Sequence, residues 1–330
     1  MKLINNKGIN DPSINLALEE FCVRNLDMSD DYILFYVNEP SIIIGKHQNT
    51  VEEINSEYVK DNGVHVVRRI SGGGAVYHDK GNLNFSFMTK YSPQSIHNFK
   101  LFTEPVIRAL ADLGVNAELN GRNDITVGDR KISGNAQFTD TKSMFSHGTL
   151  LFDSHLEDVV KALNVKSDKI ESKGIKSVRS RVANISEFLS KKITIEEFRQ
   201  KIIESIFSVY DEVPYYELSE GQWIDVMKLS ESKYRNWDWN YGRSPEFNIQ
   251  KINRFDFGQI DARIHVKDGI INEIKIYGDF LGHGELEDIE MRITGKKYDK
   301  QTLNDSLGGL NLGTYLGKIS VDEFSSFLCE

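Results

Sequence analysis

The chain has 330 residues, of which 39% are hydrophobic and 27% are charged, a composition typical of a globular protein with a core of useful size. The 40 basic and 49 acidic residues leave a net charge of −9, which argues against a dedicated nucleic-acid-binding protein, because phosphate contacts need clustered Lys and Arg. Since the sequence has no recognisable signal peptide or transmembrane stretch, we expect a cytoplasmic protein that does not associate with a membrane.

The long N-terminal part predicts helices and strands that do not alternate regularly. Asp11 can cap a helix that Pro12 opens, and apolar residues at helical spacing follow as far as Leu26. Gly128 and Asp129 form a two-residue turn of the kind that joins hairpin strands. The other predicted elements are strands at 32–37, 41–44, 65–69, 82–88, 124–127, 130–133 and 148–152, and helices at 99–113, 156–163 and 196–209. Hairpins among helices indicate an α+β fold around a mixed, mostly antiparallel sheet.

A smaller α+β domain is predicted at the C-terminal end. Residues 242–245 are rich in turn formers, so we divide the chain into a large domain at 1–245 and an accessory domain at 246–330. Alternating apolar and polar residues at 255–266 and 270–277 predict a hairpin. Two helical stretches follow near 284–293 and 302–307.

The first cluster that suggests chemistry is a glycine-rich segment after two arginines. Arg68 and Arg69 precede three consecutive glycines at 72–74, whose backbone N–H groups can close on an anion because no Cβ atoms intervene. The spacing matches neither a Walker A loop nor a dinucleotide fingerprint, since Tyr77 stands where the last glycine would be. A plain glycine-rich turn with a solvated arginine pair is the alternative.

The second cluster combines Asn123 and Asp124 with Lys131, across the predicted hairpin turn. One carboxylate together with substrate phosphates is the usual way in which proteins hold Mg²⁺, and a nearby lysine can neutralise charge on a phosphoryl or carboxyl oxygen. The cluster therefore suggests a magnesium and phosphate site. The alternative is a turn-capping Asn-Asp pair beside a surface lysine.

Two further segments could act on the same ligand. His147 precedes Gly148 and an apolar strand, and it could line an acyl pocket, although a lone histidine is more often structural. The loop at 173–181 is basic and rich in hydroxyl groups, and such a loop can fold over an anionic intermediate. The alternative for this loop is a solvated run of charges.

In this order, the four clusters resemble the motifs of the lipoate–protein ligase A family. The family pattern is a basic pair, three glycines, Ala-Val, an aromatic residue and His-Asp, followed by Gly-Arg-Asn-Asp, Arg-Lys-Ile-Ser-Gly, His-Gly-Thr-Leu-Leu and Ser-Val-Arg-Ser-Arg-Val. All are present between roughly residues 10 and 190. One motif would be a weak signal, but the ordered set is highly specific. The resemblance implies a large catalytic domain like that of biotin and lipoate ligases, and a small C-terminal domain that moves during the cycle.

The resemblance also implies roles for individual residues. Lys131 and Asp124 would be catalytic. The implied binding residues are Arg69, Gly74, Ala75, Val76, Tyr77, Lys131, Ser177 and Arg179 for ATP and the adenylate; Arg69, Gly73, Lys131 and His147 for lipoate; and Asn123 and Asp124 for the metal. Lys46 is a departure, since relatives often carry Arg there and a bidentate contact would be lost.

The implied reaction is ATP- and Mg²⁺-dependent lipoylation. Lipoate would be activated to lipoyl-AMP with release of pyrophosphate. The lipoyl group would then pass to a lysine of an acceptor, either a lipoyl domain of a 2-oxoacid dehydrogenase E2 subunit or the glycine-cleavage H protein. Nothing in the sequence demands more than a monomer.

Two other functions remain open. An acyltransferase of the same superfamily would move octanoyl or lipoyl groups between proteins, often through a cysteine nucleophile, although neither Cys22 nor Cys329 lies in a motif. A non-enzymatic binder of lipoate or of a lipoylated protein would have no need of Lys131, Asn123 and Asp124.

Overall fold

The computed structural model describes residues 1–163, 181–241, 247–267 and 269–329. Most of the basic loop predicted at 173–181 lies outside these residues, including Ser177 and Arg179. The predicted domain boundary after residue 245 also lies outside them, and it stays a prediction. Among the described residues, no helix combines the length and the apolarity that crossing a membrane requires.

Fourteen strands form three sheets within the described part of the chain. The strands are β1 (Lys2–Ile4), β2 (Tyr32–Val37), β3 (Ser41–Ile44), β4 (His65–Arg68), β5 (Val76–His78), β6 (Asn82–Lys90), β7 (Glu118–Asn120), β8 (Asp124–Val127), β9 (Arg130–Thr139), β10 (Ser143–Leu151), β11 (Tyr215–Tyr216), β12 (Ile249–Phe255), β13 (Gly258–Lys267) and β14 (Ile270–Gly278). The α-helices described are α1 (Pro12–Asn25), α2 (Thr50–Glu53), α3 (Ser56–Asp61), α4 (Phe99–Asp112), α5 (Leu156–Ala162), α6 (Ile195–Ile206), α7 (Glu220–Leu229), α8 (Trp237–Asn240), α9 (Glu287–Ile293), α10 (Lys300–Leu307) and α11 (Val321–Cys329). Shorter turns of 3-10 helix lie at Ile185–Phe188 and Leu312–Thr314, and a π-helical turn lies at Ser230–Tyr234.

The central sheet has eight strands in the order β11-β1-β2-β6-β10-β9-β8-β7. β1 pairs in parallel with β11 and with β2, and the pairs from β2 to β7 are antiparallel. This topology confirms the predicted mixed, mostly antiparallel sheet. A second sheet, β4-β3-β5, carries the glycine-rich segment between β4 and β5.

The central sheet is covered on both faces, which explains the unbroken apolar run of β2. Ile33 and Phe35 belong to a core shared with α4 and α6, whereas Leu34 and Tyr36 belong to a core shared with α1 and α7. Successive residues of a strand point to opposite faces, so a strand covered on both sides has no polar face.

Helix α1 begins where the sequence predicts. The Asp11 carboxylate accepts hydrogen bonds from the backbone N–H groups of Ser13 and Ile14. Every residue from 15 to 23 is buried, including the adjacent carboxylates of Glu19 and Glu20. Because a buried charge is costly unless it is paired, both glutamates must have partners inside the domain.

The C-terminal part forms a small α+β unit around the third sheet, β12-β13-β14, as predicted. The strand start predicted at Phe255 is wrong: Phe255 ends β12 instead of opening the next strand, because the chain turns at 256–257 and Phe255 pairs with Gly258. β12 is an edge strand with no fully buried residue, so its sequence lacks the apolar alternation that reveals β13 and β14.

Candidate active site

A cavity of about 140 Å³ lies between α1, the glycine-rich segment and the central sheet. It brings together eight of the residues expected from the motifs: Arg69, Gly73, Gly74, Ala75, Val76, Asn123, Lys131 and His147. Residues to which the sequence analysis assigned no role also line it: Leu16, Tyr36, Ile43, His78, Asn84, Gly134, Asn135, Ala136, Gly148 and Thr149. Tyr77 does not line the cavity; it packs with the small core around Ile42, and burial raises the pKa of its phenol.

Arg69 holds the glycine-rich segment from inside. Its Nε donates to Ser71 Oγ at 3.0 Å, and its Nη2 donates to the carbonyls of Gly72 at 2.7 Å and Gly74 at 2.9 Å. Its Nη1 donates to the carbonyl of Ile43 at 3.0 Å. Burial lowers the pKa of this guanidinium to about 10, so it remains charged at neutral pH. A buried cation therefore fixes the conformation of the segment.

A buried carboxylate stands at the other end of the same hydrogen-bond network. Nδ1 of His147 lies 3.0 and 3.1 Å from the two carboxylate oxygens of Glu19, and Nε2 lies 2.8 Å from Ser71 Oγ. Glu19 is 1% exposed and Ser71 is also 1% exposed. The network thus runs from Glu19 through His147 and Ser71 to Arg69.

Glu19 and Ser71 were missed at the level of sequence. A usable signal existed for the first: Glu19 and Glu20 stand side by side between apolar residues of a helix that is apolar on most of its surface. Two adjacent helical positions are about 100° apart, so both cannot face solvent on so apolar a helix. The partner, His147, is 128 residues away and could not be inferred.

At the open side of the cavity, Lys131 and Asp124 form an ion pair. Lys131 Nζ lies 2.8 Å from Asp124 Oδ1, and the two side chains are 39% and 37% exposed. The lysine passes over Gly134, where a Cβ would lie 3.0 Å from Nζ. The pair therefore combines a defined position with access for a ligand.

A β-bulge puts Lys131 on this face. Ile125 pairs with Ser133 but Thr126 pairs with Lys131, so Ile132 is an extra residue in β9. In a regular strand, residues 131 and 134 would point to opposite faces, since their separation is odd. The backbone of Lys131 also bonds to residues 181 and 183, where the described chain resumes after 163.

Asn123 and Asp124 offer oxygen atoms that could accompany a magnesium ion. The Asn123 side-chain amide donates to the Asn135 carbonyl, and its Oδ1 accepts a long hydrogen bond from Arg122 Nε at 3.5 Å, which leaves a second lone pair for a metal ion. Among the described residues, no three His, Cys, Asp or Glu side chains converge as a closed metal site would require. This donor set fits a Mg²⁺ ion that brings substrate phosphates and water as its other ligands.

His78 is a second histidine in the cavity wall, and a chain of side-chain amides determines which of its ring nitrogens carries the proton. Nδ2 of Asn15 donates to the backbone carbonyl of Ile9 and to Oδ1 of Asn38, both at 2.9 Å. This orientation turns Nδ2 of Asn38 toward Nδ1 of His78, 3.1 Å away, so Nδ1 must accept and Nε2 must carry the proton. Burial lowers the pKa of His78 to about 3, which keeps the ring neutral.

The small domain touches the glycine-rich segment at Phe280. The N–H of Gly73 donates to the Phe280 carbonyl at 3.2 Å, and a Cβ on Gly72 would lie 2.4 Å from the same oxygen. Lys46, which replaces the arginine expected from the resemblance, forms an ion pair with Glu285 at 2.9 Å. The segment that lines the cavity is thus also a contact between the two parts of the chain.

Histidines are concentrated at this contact. The ring of His47 stacks on Phe280 with centroids 5.1 Å apart, and His283 lies 5.2 Å from His97. Burial, aided by the charge of Lys46, lowers the pKa of His47 to about 3; burial, His97 and Lys46 lower that of His283 to about 4. Both rings are therefore neutral at physiological pH.

Residues 11–207 match the lipoyl protein ligase A/B catalytic domain, and residues 244–328 match the bacterial lipoate protein ligase C-terminus. The chain belongs to the lipoyl protein ligase A/B family. Lipoate-protein ligase LplJ of Bacillus subtilis (strain 168), a relative, is 59% identical over 326 residues, which are 98% of each chain. The two matched segments thus lie one in the large N-terminal part of the chain and one in its small C-terminal part.

Solved structures of similar proteins agree with the fold of this ligase-family chain. The LipL1 protein of P. falciparum in complex with lipoate has a TM-score of 0.82 at 27% identity and covers 100% of this chain and 99% of its own. A lipoate-protein ligase A bound with ATP has a TM-score of 0.63 at 29% identity over 73% of this chain and 98% of its own. A bipartite lipoate protein ligase from Thermoplasma acidophilum, studied with its E2 lipoyl domain, has a TM-score of 0.66 at 30% identity over 75% and 98%.

Proposed function

We propose that the chain is an ATP-dependent lipoate–protein ligase, which activates lipoate as lipoyl-AMP and transfers the lipoyl group to a lysine of an acceptor protein. The cavity is the observation that carries the proposal: its wall joins buried apolar side chains, such as Leu16 and Ile43, to the partly exposed Lys131, which is paired with Asp124. An acyl chain suits the apolar part, and a carboxylate or phosphate suits the lysine. The proposal is supported by the similar lipoate-protein ligase LplJ, by the similar lipoate-protein ligase A bound with ATP, and by the similar LipL1 protein in complex with lipoate.

In the first step, a carboxylate oxygen of lipoate attacks the α-phosphorus of ATP, the bond to the bridging oxygen breaks, and pyrophosphate leaves with the electron pair. Lys131 stabilises the negative charge on the phosphoryl and carboxyl oxygens and holds the two groups together, while Asp124 orients the lysine. Asn123 and Asp124 would hold Mg²⁺, which neutralises phosphate charge when it is bound.

The remaining residue roles follow the motifs and stay part of this proposal. The residues assigned to ATP and the adenylate are Arg69, Gly74, Ala75, Val76, Tyr77, Lys131, Ser177 and Arg179, and those assigned to lipoate are Arg69, Gly73, Lys131 and His147. Four N–H groups of the Arg69 guanidinium already donate hydrogen bonds within the protein. The role that we assign to Arg69 is therefore to hold the segment that contacts the nucleotide.

In the second step, the amine of an acceptor lysine attacks the carbonyl carbon of the mixed anhydride, AMP leaves, and an amide forms. We propose lipoyl domains of 2-oxoacid dehydrogenase E2 subunits as acceptors, supported by the archaeal ligase studied with its E2 lipoyl domain, and the glycine-cleavage H protein as a further acceptor. We also propose a cytoplasmic monomer with a catalytic domain at 1–245 and an accessory domain at 246–330, close to the segments that match the family.

A cysteine-dependent acyltransferase is the rival function, and the burial of Cys22 speaks against it. Cys22 lies in α1 with no exposed surface, and burial, with the charge of Glu19, raises the pKa of its thiol well above its ordinary value. A nucleophilic cysteine needs a lowered pKa and access to its substrate. A simple lipoate binder is the other rival, and the accessible Lys131–Asp124 pair favours chemistry over binding.

The test is pyrophosphate release from ATP and Mg²⁺, measured with and without free lipoate and in the absence of acceptor. We expect release that depends on lipoate, and lipoyl-AMP detectable by mass spectrometry. No release with lipoate, either alone or after addition of lipoyl-domain and H-protein acceptors, would contradict the ligase function and favour a transferase or a binder.

A further inference from the structure

Two neighbouring glutamates of α1 are buried in different ways. Glu20 is matched directly by cations and a hydroxyl, with Lys233 Nζ at 2.8 Å and Tyr234 Oη at 2.7 Å. Glu19 makes no ion pair with a Lys or Arg among the described residues, and its partner is His147. The network reaches a cation only at Arg69, through the side chains of His147 and Ser71.

For a His147 ring that carries a single proton, hydrogen-bond counting determines the direction of every donor in this network. Ser71 Oγ accepts from Arg69 Nε, so the single proton of the hydroxyl is available for His147 Nε2. Nε2 can accept that proton only when the imidazole proton is on Nδ1, which is the nitrogen that faces the Glu19 carboxylate. In this arrangement each donor meets one acceptor, and the carboxylate selects the tautomer.

The consequence is a mechanical link between α1 and the glycine-rich segment. Ser71 precedes Gly72, and Arg69 binds the carbonyls on both sides of Gly73, so the orientation of both side chains sets the path of the backbone there. An error of about 1 Å in such a segment can reduce the rate of a positioned reaction by about 100-fold.

We propose that Glu19 is a positioning residue for adenylate formation, which acts through the tautomer of His147 and the hydroxyl of Ser71 on the conformation of the glycine-rich segment. This inference rests on the proposed ligase function. Glu19 contacts neither ATP nor the reacting carboxylate in this scheme, and its effect reaches them only through the segment.

The first experiment compares Glu19→Gln with Glu20→Gln in the full chain, using lipoate-dependent pyrophosphate release. Both variants remove one buried carboxylate from adjacent positions of one helix, so both should lower the melting temperature. We expect E19Q to lower kcat about 10- to 100-fold with less than about a threefold change in KM for lipoate. E20Q should remain within about threefold of the wild type in both constants, because its partners lie away from the cavity.

A second experiment asks whether the effect travels through Ser71. Ser71→Ala removes only a hydroxyl group and should reproduce the loss of kcat, which also covers the case in which E19Q fails to fold. If the two residues act through one relay, the double variant should be no slower than the slower single variant. Multiplied losses in the double variant would overturn the proposal, and so would equal losses of kcat in E19Q and E20Q.

Nitrogen-15 NMR of His147 provides a test that does not depend on turnover. In the wild type we expect the neutral tautomer with the proton on Nδ1, and in E19Q we expect this tautomer to lose population. A wild-type ring with its neutral proton on Nε2 would overturn the proposal. If the wild type released no pyrophosphate with lipoate, the ligase function would fail, while the NMR result would still decide on the relay.

Discussion

The inner wall and the open side of the cavity hold the same kinds of charge in different surroundings. Arg69 and Glu19 are buried and joined through the side chains of His147 and Ser71, whereas Lys131 and Asp124 touch directly and are more than a third exposed. Buried ions are costly unless they are hydrogen-bonded, and four N–H groups of Arg69 and both oxygens of Glu19 have partners within the protein. The exposed pair contributes little to stability, and its lysine can exchange its partner for a ligand.

This difference separates two functions that a list of charged residues would merge. In the proposed mechanism, the inner network determines shape and the outer pair does the chemistry. Loss of an inner residue should therefore lower the free energy of unfolding, or lower kcat because the glycine-rich segment is no longer held in position. Loss of the outer lysine should lower the rate of the reaction and leave stability nearly unchanged.

The largest effect should follow from Lys131→Ala. We expect lipoate-dependent pyrophosphate release to fall by about 1,000-fold, since a charge that stabilises the transition state is lost. The free energy of unfolding should change by less than about 1 kcal/mol, because the ion pair with Asp124 is half-exposed. Pyrophosphate assays and urea denaturation of the same preparation measure both quantities.

Lys2→Ala is the matched control. Lys2 pairs with Asp30 at 2.6 Å, with side chains 39% and 45% exposed, so its surroundings resemble those of Lys131 but lie outside the cavity. This variant should lose neither activity nor much stability. Turnover that survived in K131A would mean that the outer pair is not the chemical centre.

The next effect should follow from Arg69→Met, in stability. Removal of this cation leaves the Glu19 carboxylate without its counterpart and four acceptors without their donor, and each buried polar group left unsatisfied costs roughly 1–3 kcal/mol. Replacement of both residues by methionine should recover part of the loss, because no buried charge remains unmatched. Urea denaturation of the two variants measures the difference. If the double variant were less stable than Arg69→Met by as much as Glu19→Met alone destabilises the wild type, the two charges would not be coupled.

Much of the fold could be predicted because short stretches of sequence, such as apolar runs and helix caps, indicate where its elements lie. β2 and β3 lie where the sequence placed them, since both are apolar runs bounded by turns, and α1 starts at its cap. β1 and β11 were missed because Leu3 pairs with Tyr215, more than 200 residues away, and strands of two or three residues have no period to detect.

The candidate site could be predicted in part for the same reason. The motifs located Lys131, Asp124 and the glycine-rich segment, because glycine runs and clustered hard ligands have local signatures. They did not reveal that Arg69 is satisfied by backbone carbonyls, or that Glu19 orients His147. Such relations depend on which distant segments the fold brings together, and a lone buried carboxylate has no pattern of its own.

A smaller effect should come from the histidines at the contact between the two parts. Unlike the N–H groups of Arg69, the buried ring nitrogens of His283 have no hydrogen-bond partner among the described residues, and burial lowers the pKa of this histidine to about 4. The imidazole is protonated near pH 6.5 in the unfolded chain but only near pH 4 in the folded chain. The free energy of unfolding is therefore highest above pH 6.5 and falls as the pH is lowered toward 4. This histidine contributes a slope of about 1.4 kcal/mol per pH unit in that window.

His283→Phe removes that titration while keeping an aromatic ring. Between pH 7.5 and pH 5.5, the free energy of unfolding of the wild type should fall by about 1 kcal/mol more than that of the variant. Urea denaturation of the full chain at the two pH values measures it. Equal pH dependence in the two proteins would show that His283 is protonated in the folded state as readily as in the unfolded one.

The smallest effect should follow from alkylation of the native enzyme. Cys22 is buried in the same helix as Glu19, yet it is an apolar packing group with a raised pKa, so iodoacetamide should not reach it. Pyrophosphate release should be unchanged, and mass spectrometry should find Cys22 alkylated only after denaturation. Inactivation that tracks modification of Cys22 in the native enzyme would favour the transferase.

The β-bulge at Ile132 makes chain length part of the active site. Residues 128–129 lie at the tip of an exposed hairpin, where substitutions are usually tolerated. An insertion or deletion of one residue between Lys131 and Gly134 would invert the side of the sheet on which Lys131 lies, although no residue of the site had been replaced. Among descendants of this sequence, length changes in β9 should therefore survive only in compensating pairs, while its composition drifts more freely.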